Sequence, residues 1–264
     1  MTNNWNSSVG ELIEALGEND FPARLVDMLG QVADFDYSVM FAYSGDARPV
    51  DLFDNFPGSK KRIFVTMYQE GPYLLDPFFL ACLKSVPSGL YRLRDLAPDR
   101  FYQSEYFRSY YVRTGLSEEI GYFLHLAGGV MVVVSLMRAD RSPAFNSREF
   151  AALRDVHPIL AAVATRHWHE LYLEFTPAAS LEEQSSTQRN IESTFRNFGR
   201  TGLTPREREV VEYVLKGHSS KAIGKVLGIA TGTVRIHRKN VYAKLGINSQ
   251  GELFSQFINA LAGR

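Results

Sequence analysis

The chain has 264 residues and carries 29 basic and 29 acidic side chains, so its formal net charge is zero. This length and a hydrophobic content of 45% are typical of a globular protein with one domain of ordinary size and one small domain. The single cysteine, Cys82, excludes an intramolecular disulfide and is typical of a reducing cytoplasm, and the N-terminus shows no basic, apolar signal peptide. We therefore predict a cytoplasmic protein.

The first part of the chain changes from a helical to an extended pattern. Residues 1–8 are polar and are predicted to be irregular, whereas residues 9–16 and a stretch capped by Asp20 show helical spacing. Residues 37–43 and 50–53 are predicted as two strands separated by turn-forming residues. These two strands predict the first hairpin of a sheet.

Helical spacing returns over residues 60–69 and again from Asp76 to about Lys84. The side chains of the first of these helices that are expected to face the core are Ile63, Phe64 and Met67. Asp76 is predicted to cap the second helix, because Pro77 suits its first position. A short extended piece over residues 90–93 and an aromatic-rich helix over residues 104–114 follow.

The uncharged run over residues 121–137 approaches the shortest length that crosses a membrane. Gly128 and Gly129 divide it into two segments rich in Val, Leu and Phe. This division favours a β-hairpin with buried strands over a membrane helix.

A long helix is predicted after this hairpin, capped by Asn146 with Glu149 and running past Trp168, with a kink or break at Pro158. Two hairpins, with helices before, between and after them, predict a central antiparallel sheet covered by helices. The predicted fold of residues 1–175 is therefore an α/β sensory sandwich of GAF- or PAS-like type.

The composition changes near the end of the chain. Residues 176–200 are polar and are predicted to be a linker. Residues 201–264 contain ten Lys and Arg against four Asp and Glu, a formal charge of +6 on an otherwise acidic chain. Each charge taken singly is more often only a solvated surface residue of a small helical bundle. A basic module on an acidic body, however, is what contact with phosphates requires.

Four helices are predicted in this basic segment. The first begins with an N-cap at Thr204 and a capping-box partner at Glu207, and the second follows an N-cap at Ser219. The third, over residues 231–245, has a basic outer face, and a fourth follows it. A short helix, a glycine turn and a helix with a basic outer face predict a helix-turn-helix unit whose third helix lies in the major groove.

The segment also resembles the LuxR-type helix-turn-helix domain. The matching residues are Thr204, Pro205, Arg206, Glu207, Arg208, Glu209, Val210, Gly217, Ser220, Lys221, Ile223, Leu227, Ile229, Thr233, Val234, Arg235, His237, Lys244, Leu245, Gly246, Glu252 and Leu253. The resemblance implies a transcription regulator that binds a near-palindromic site in double-stranded DNA as a homodimer. Ala230 stands where the family often has a capping serine, and Thr231 is the alternative cap.

The resemblance also implies roles for individual residues. Arg235, Ile236 and Lys239 would face base edges, and the last helix would help to dimerise. The residues expected to contact DNA are Ser219, Ser220, Lys221, Thr231, Thr233, Arg235, Ile236, Arg238 and Lys239. The residues expected to dimerise are Leu253, Phe257 and Leu261.

Two functions stay open for residues 1–175. One is a filled core that only dimerises or binds a protein partner, which would make the regulator constitutive. The other is an apolar small-molecule pocket between the sheet and its helices. The polar groups expected on inward faces are Tyr37, Tyr73, Asp76, Tyr91, His125 and Ser135.

Residues 76–136 resemble the autoinducer-binding domain that often precedes a LuxR-type reader. Asp76 and Pro77 match the family's Asp-Pro pair, whose carboxylate accepts the ligand amide N–H, and Ser135 matches a strand hydroxyl that meets the ligand carbonyl. Tyr91 stands where the family has a pocket tryptophan. The candidate ligand-binding residues are Tyr73, Asp76, Tyr91 and Ser135. Quorum sensing is one candidate role.

The preceding helix departs from the family pattern. A tyrosine, a tryptophan and a second tyrosine are replaced by Ser59, Ile63 and Met67. A ligand carbonyl buried against them would lose a hydrogen-bond partner, at a cost of about 1–3 kcal/mol. This predicts a ligand other than an acyl-homoserine lactone, or none.

Other chemistry has little support in the sequence. His167 and His169 do not share a helix face, and no cysteine or carboxylate near them completes a metal site. Gly128 and Gly129 lack the lysine of a phosphate-binding loop. No nucleophile elbow, pair of catalytic carboxylates or Cys/His pair occurs, and Asp36 precedes the first strand, unlike the acids of a phospho-receiver domain. We predict no metal, no cofactor and no enzymatic activity.

Overall fold

The computed structural model describes residues 2–175, 198 and 202–261. The linker predicted over residues 176–200 lies outside the described residues, apart from Phe198. The predicted domain limits therefore stay predictions.

Five strands form one antiparallel sheet in the order β2–β1–β5–β4–β3. The strands are β1 (Tyr37–Tyr43), β2 (Val50–Asp54), β3 (Gly89–Arg92), β4 (Leu116–His125) and β5 (Met131–Ala139). The predicted hairpin over residues 121–137 is confirmed, because β4 pairs with β5 and places Gly121 opposite Ser135. Every residue of β5 is buried, as expected of a strand with neighbours on both edges and helices on both faces.

Seven helices accompany this sheet within residues 2–175. They are α1 (Thr2–Glu14), α2 (Phe21–Gly30), α3 (Gly58–Lys61), α4 (Pro77–Leu83), α5 (Leu93–Leu96), α6 (Glu105–Tyr110) and α7 (Ser147–His167). A π-helical segment, Arg62–Met67, continues α3, and single 3₁₀ turns span Pro72–Leu75, Phe101–Gln103, Val112–Thr114, Ala127–Gly129 and Leu171–Phe175.

Two local predictions are wrong. Residues 2–8 are not irregular, because α1 begins at Thr2 and Trp5 and Val9 pack against the core. Pro158 does not break α7, which is continuous over 21 residues. Buried Leu153 and Leu160 hold both halves of this helix against the sheet, and such tertiary packing overrides the local preference of proline.

The sheet separates two cores of different composition. On one face α1, α2 and α7 pack against Met40, Tyr122 and Val134, and the contacts are almost entirely apolar. On the other face lie Phe41, Phe123 and the helical segments between residues 58 and 114, which bring many phenol rings. Alternation of side chains along each strand supplies both cores at once.

Four helices form the basic C-terminal unit, which we call the reader. They are α8 (Pro205–Leu215), α9 (Ser220–Leu227), α10 (Thr231–Leu245) and α11 (Gln250–Leu261). The predicted capping box at Thr204 and Glu207 and the predicted N-cap at Ser219 are confirmed. The N-cap of α10 is Ala230, which offers no side-chain acceptor, and Thr231 is already helical. The reader packs against the second core of the sheet domain.

Arg138 on β5 joins three separate parts of the sheet domain. Its guanidinium donates to the carbonyl oxygens of Asp34 and Pro143 and forms a 2.8 Å ion pair with Glu149 of α7. It also lies 4.0 Å from the ring centre of Phe145, and the residue is 3% exposed. Its removal would leave several buried acceptors without a donor.

We therefore expect Arg138→Ala to lower the free energy of unfolding by about 3 kcal/mol, because breaking a buried ion pair strands its partner. Urea unfolding followed by tryptophan fluorescence measures this, since both tryptophans, Trp5 and Trp168, lie in the sheet domain. The control is Arg141→Ala, whose side chain is 75% exposed beside Asp36 and should cost less than about 1 kcal/mol. Equal losses in the two variants would contradict the role given to Arg138.

Candidate nucleic-acid interface and ligand cavity

The first reader helix is fixed to the third by a carboxylate. Glu207 accepts the backbone N–H of Thr204 at 2.8 Å and the ammonium of Lys244 on α10 at 2.7 Å. Burial alone would raise the pKa of Glu207, but the bonds from Lys244 and Thr204 outweigh it and hold that pKa below its ordinary value. The charged carboxylate therefore links the start of α8 to the end of α10.

The second and third reader helices meet at a glycine turn. Gly228 ends α9 with a φ of +65°, a conformation that favours glycine. A Cβ on Gly224 would lie 2.7 Å from the carbonyl oxygen of Ile229, so α9 passes closer to the chain that leads into α10 than any larger residue permits. This arrangement is the helix-turn-helix geometry expected from the sequence.

The outer face of α10 is exposed and basic. Arg235, Ile236 and Lys239 all point to solvent, and Ile236 is 60% exposed. Val234 and Val241 on the opposite face are buried in the reader core. A helix with an apolar inner face and exposed cations is suited to lie in the major groove.

A cleft of about 850 Å³ collects most of the residues predicted to contact DNA. The predicted residues that line it are Ser219, Ser220, Lys221, Thr231, Arg235, Arg238 and Lys239. Arg238 also donates to the hydroxyl oxygens of Ser220 and Tyr242, at 3.3 and 3.2 Å, so it links α10 to the start of α9. Thr233 and Ile236 lie outside the cleft lining.

The wall of this cleft opposite the reader is formed by Asp99 and Arg100 of the sheet domain. Asp99 accepts the N–H of Ser219 at 2.9 Å, and the Arg100 N–H donates to the carbonyl oxygen of Gly217 at 3.0 Å. Sequence reasoning missed this contact, because no local pattern relates residues more than a hundred positions apart.

The residues predicted to dimerise are buried within the chain. Leu253, Phe257 and Leu261 are 1%, 0% and 8% exposed. A Cβ on Gly71 of the sheet domain would lie 2.7 Å from Leu261, so α11 packs directly on that domain. In this arrangement the side chains face the protein's own core.

A small cavity of about 30 Å³ lies between the sheet and the segments over residues 58–114. It is lined by Val39, Phe41, Tyr43, Phe64, Tyr68, Asp76, Phe78, Tyr106, Tyr110, Tyr111, Ser135 and Met137. The structure therefore brings two of the predicted ligand-binding residues, Asp76 and Ser135, to one cavity. A volume of this size holds about one water molecule, whereas pockets that bind drug-sized ligands measure roughly 300–1,000 Å³.

Asp76 is both the cap of α4 and a member of the cavity wall. Its carboxylate accepts the N–H of Phe78 at 2.9 Å and the hydroxyl of Tyr68 at 2.7 Å. Tyr68 in turn shares a 2.9 Å hydrogen bond with the hydroxyl of Tyr43. Burial raises the pKa of Asp76 to about 6 despite these donors. Asp76 thus caps α4 and lines the cavity at the same time.

A second buried carboxylate, Glu119, stands beside this cavity and was not among the predicted residues. It is 4% exposed and accepts the hydroxyl of Tyr111 at 2.5 Å. Burial and the nearby Asp76 raise the pKa of Glu119 to about 8. The adjacent Glu118 and Glu119 were the available signal, because strand alternation must place one of two neighbouring acids on each face.

The structure corrects the register of the helix before Asp76. In the π-helical segment Arg62–Met67 each turn holds an extra residue, so the following side chains are rotated relative to an α-helix. Phe64 and Tyr68 line the cavity, whereas Ser59 is exposed and Met67 is 38% exposed. The predicted inward position of Met67 is wrong, and the helix does present a hydroxyl donor, that of Tyr68.

The other predicted polar groups lie away from the cavity. Tyr73 is fully buried and packs edge-on against Phe79. The hydroxyl of Tyr91 donates to the carbonyl oxygen of Pro87. A ring nitrogen of His125 lies 2.7 Å from the carbonyl oxygen of Val86, so both side chains contact the segment that leads into β3. Tyr37 packs against Phe56.

Within the described residues, no three His, Cys, Asp or Glu side chains are grouped so that they could hold a metal ion. Among the helices of residues 2–175 and 202–261, none is long and apolar enough to cross a membrane.

A helix-turn-helix unit with an exposed basic recognition helix, preceded by a sheet domain, defines a DNA-binding transcription regulator. Residues 201–256 match the family described as bacterial regulatory proteins, luxR family. A protein of Aeromonas salmonicida named as an HTH-type transcriptional regulator in the exeN 3′ region is 32% identical over 186 residues, which cover 70% of this chain and 94% of that protein. The chain belongs to the LuxR family of bacterial regulators.

Two further similarities are to a named activator and to a solved structure. The transcriptional activator protein PhzR of Pseudomonas fluorescens is 30% identical over 128 residues, 48% of this chain and 43% of that protein. The crystal structure of the VqsR LBD domain from Pseudomonas aeruginosa has a TM-score of 0.56 and 26% identity, and covers 63% of this chain and 98% of that one. The sheet covered by helices is confirmed, but the similarity is to this LBD domain and not specifically to a GAF or PAS domain.

The raised pKa of Glu119 has a consequence for stability. A carboxyl whose pKa is raised in the folded state stabilises the fold fully below its unfolded pKa, and that contribution is lost as the pH rises through the folded value. We expect Glu119→Gln to reduce the loss of stability that the wild type shows between about pH 4.5 and about pH 8. The raised pKa of Asp76 causes a part of that loss below about pH 6, and this part should remain in the variant. The stability of the variant relative to that of the wild type should therefore be greater at pH 8 than at pH 5, by on the order of 1 kcal/mol or more.

Urea unfolding of both proteins at pH 5 and pH 8, followed by tryptophan fluorescence, measures this difference. Glu14→Gln, at an exposed position on α1, serves as the control and should follow the wild type at both pH values. A loss of stability between pH 5 and pH 8 that is as large in Glu119→Gln as in the wild type would show that another group causes it.

Proposed function

We propose that this LuxR-family regulator acts in the cytoplasm, binds a near-palindromic site in double-stranded DNA as a homodimer and places α10 in the major groove. The observation that carries the proposal is the exposed basic face of α10. It lies beside the start of α9, where the hydroxyls of Ser219 and Ser220 and the ammonium of Lys221 can contact phosphates. Two-fold symmetry of the protein would be mirrored in the DNA site. The proposed DNA contacts are Ser219, Ser220, Lys221, Thr231, Thr233, Arg235, Ile236, Arg238 and Lys239.

Within this interface the residues differ in what they would recognise. The long exposed side chain of Arg235 suits a bidentate contact with a guanine, which carries sequence information. Lys221, exposed at the start of α9, suits a phosphate, which carries none. The two side chains therefore provide separate tests of affinity and specificity.

We expect Arg235→Ala to relax the preference for one base at one position of the site, at a cost of about 1–3 kcal/mol in binding free energy. We expect Lys221→Ala to weaken binding evenly across sequences and to lower the slope of log affinity against log salt concentration by about one. Selection of sites from a random duplex pool, followed by titrations at several salt concentrations, measures both effects. Arg154→Ala, an equal change of charge on α7, is the control. Identical effects of the two reader variants on every sequence would contradict the assignment of α10.

We further propose that a small molecule bound in the sheet domain controls the regulator. What supports it is the convergence of Asp76, Tyr68 and Ser135 on one aromatic-lined cavity. Because that cavity is only about 30 Å³, a ligand would have to move rings of Tyr106, Tyr110 or Tyr111 to bind. Tyr68 brings a hydroxyl to the cavity, and a ligand N–H that took its place on Asp76 would free that hydroxyl to donate to a ligand carbonyl, so an acyl-homoserine lactone is again a candidate ligand.

The small volume favours a second candidate, a ligand-independent regulator whose sheet domain only dimerises or binds a protein partner. The closely packed rings are typical of a filled core. Thermal unfolding of the full chain with a panel of acyl-homoserine lactones and a small-molecule extract of the native cells separates the two candidates.

If a ligand binds only the folded state, the unfolding midpoint should rise with its concentration, because ligand present at 100 times its Kd adds about 2.7 kcal/mol. The same addition should not shift Asp76→Ala, which lacks the acceptor. A shift that persists in Asp76→Ala would place the site elsewhere. A well-folded wild type that shifts with nothing would support the ligand-independent regulator.

A further inference from the structure

The segment between α5 and α6 contacts the reader where the reader is expected to meet phosphates. Ser219, whose N–H donates to the carboxylate of Asp99 at 2.9 Å, is the N-cap of α9. Free N–H groups and the helix dipole make such a position attractive to anionic oxygens. Asp99 therefore occupies a position that suits a DNA phosphate.

The carboxylate of Asp99 is charged in this contact. Burial alone would raise its pKa, but hydrogen bonds from Ser219 and the nearby His218 and Arg100 outweigh it, and the pKa of Asp99 lies below its ordinary value. The reader side of the cleft is rich in cations, with Lys221, Arg238 and Lys239 among its lining. Opposite charges thus line the same cleft, and Arg100 of the sheet domain adds a further cation beside Asp99.

The backbones on the two sides of this contact also touch. The Arg100 N–H donates to the carbonyl oxygen of Gly217 at 3.0 Å, and a Cβ on Gly217 would lie 2.9 Å from the Cα of Phe101. Phe101 is 1% exposed. The segment therefore fills the space beside α9 that a DNA backbone would need.

A second contact covers the last reader helix. Leu261 packs against Gly71, and Phe257 lines a cavity of about 550 Å³ together with Leu74 and Phe79 of the sheet domain. Phe257 and Leu261 are among the residues expected to dimerise. The docked arrangement thus covers two surfaces that a DNA-bound dimer would use.

We propose that this docking is an autoinhibitory contact in which Asp99 takes the place of a DNA phosphate at the start of α9. The docked form and the DNA-bound form exclude each other, because the Ser219 N–H donates to one anion at a time and residues 99–101 occupy the adjacent space. The inference rests on the proposed DNA-binding function, but it does not require a ligand in the cavity.

Asp99→Ala in the full chain tests the contact. Loss of one hydrogen bond from the docked form should tighten binding to a random-sequence duplex about three- to tenfold. Asp95→Ala removes an equal charge from an exposed residue of the same domain and should change the affinity much less. Asp99→Asn keeps the size and an acceptor but loses the charge, so it should fall between Asp99→Ala and the wild type.

Hydrogen exchange provides a second measurement that does not depend on affinity. Without DNA, the amides of Arg100 and Ser219 should exchange faster in Asp99→Ala than in the wild type. With saturating duplex, the Arg100 amide of the wild type should exchange faster than without DNA, because Arg100 leaves Gly217 when the reader binds. A variant that unfolds would be recognised by fast exchange throughout the sheet.

The outcomes separate the two proposals. Equal affinities of Asp99→Ala and Asp95→Ala, or protection of Arg100 that persists with DNA bound, would overturn the autoinhibitory contact. Failure of every protein, wild type included, to bind any duplex would contradict the proposed function. In that case hydrogen exchange of the Arg100 and Ser219 amides without DNA still decides whether Asp99 holds the reader against the sheet domain.

Discussion

Side-chain alternation in the central strands is the constraint on which the rest of the sheet domain depends. Because β5 has neighbours on both edges and helices on both faces, each of its residues must suit one of two cores. One core accepts aliphatic side chains such as Val134. The other receives Ser135 and, from β4, Glu119, and there phenol hydroxyls donate to the buried carboxylates. The polar core exists because tyrosines supply donors that an aliphatic core would lack.

The same polar core lies next to the surface that docks the reader. Phe101, which touches Gly217, also packs against Tyr106 and Tyr111, with ring centres 6.0 and 6.1 Å apart. Two of the rings in the cavity wall are therefore one residue away from the reader. Packing contacts are thus continuous from the cavity wall to the reader.

The sequence predicted elements that depend on local chemistry. Thr204 with Glu207, Asn146 with Glu149, Asp76 before proline and the glycine-divided hairpin all specify their structure within a few residues, and all are found. Asp76 and Ser135 could be placed at one cavity because a family pattern relates them. Glu119 could not be placed, because only the strand partners decide which of two neighbouring acids faces inward. The bond between Asp99 and Ser219 depends on how two units dock, and no local pattern encodes it.

The π-helical segment Arg62–Met67 has a consequence for comparisons with related proteins. A residue-by-residue alignment assumes that equal spacing along a helix means equal direction, and one extra residue per turn removes that equivalence. Position 68, and not position 67, supplies the hydroxyl that meets Asp76. A relative that lacks the extra residue would deliver the same group from a position one place earlier. Cavity residues in this segment therefore correspond to those of a related protein when their side chains point in the same direction. Equal positions in a sequence alignment do not establish this correspondence.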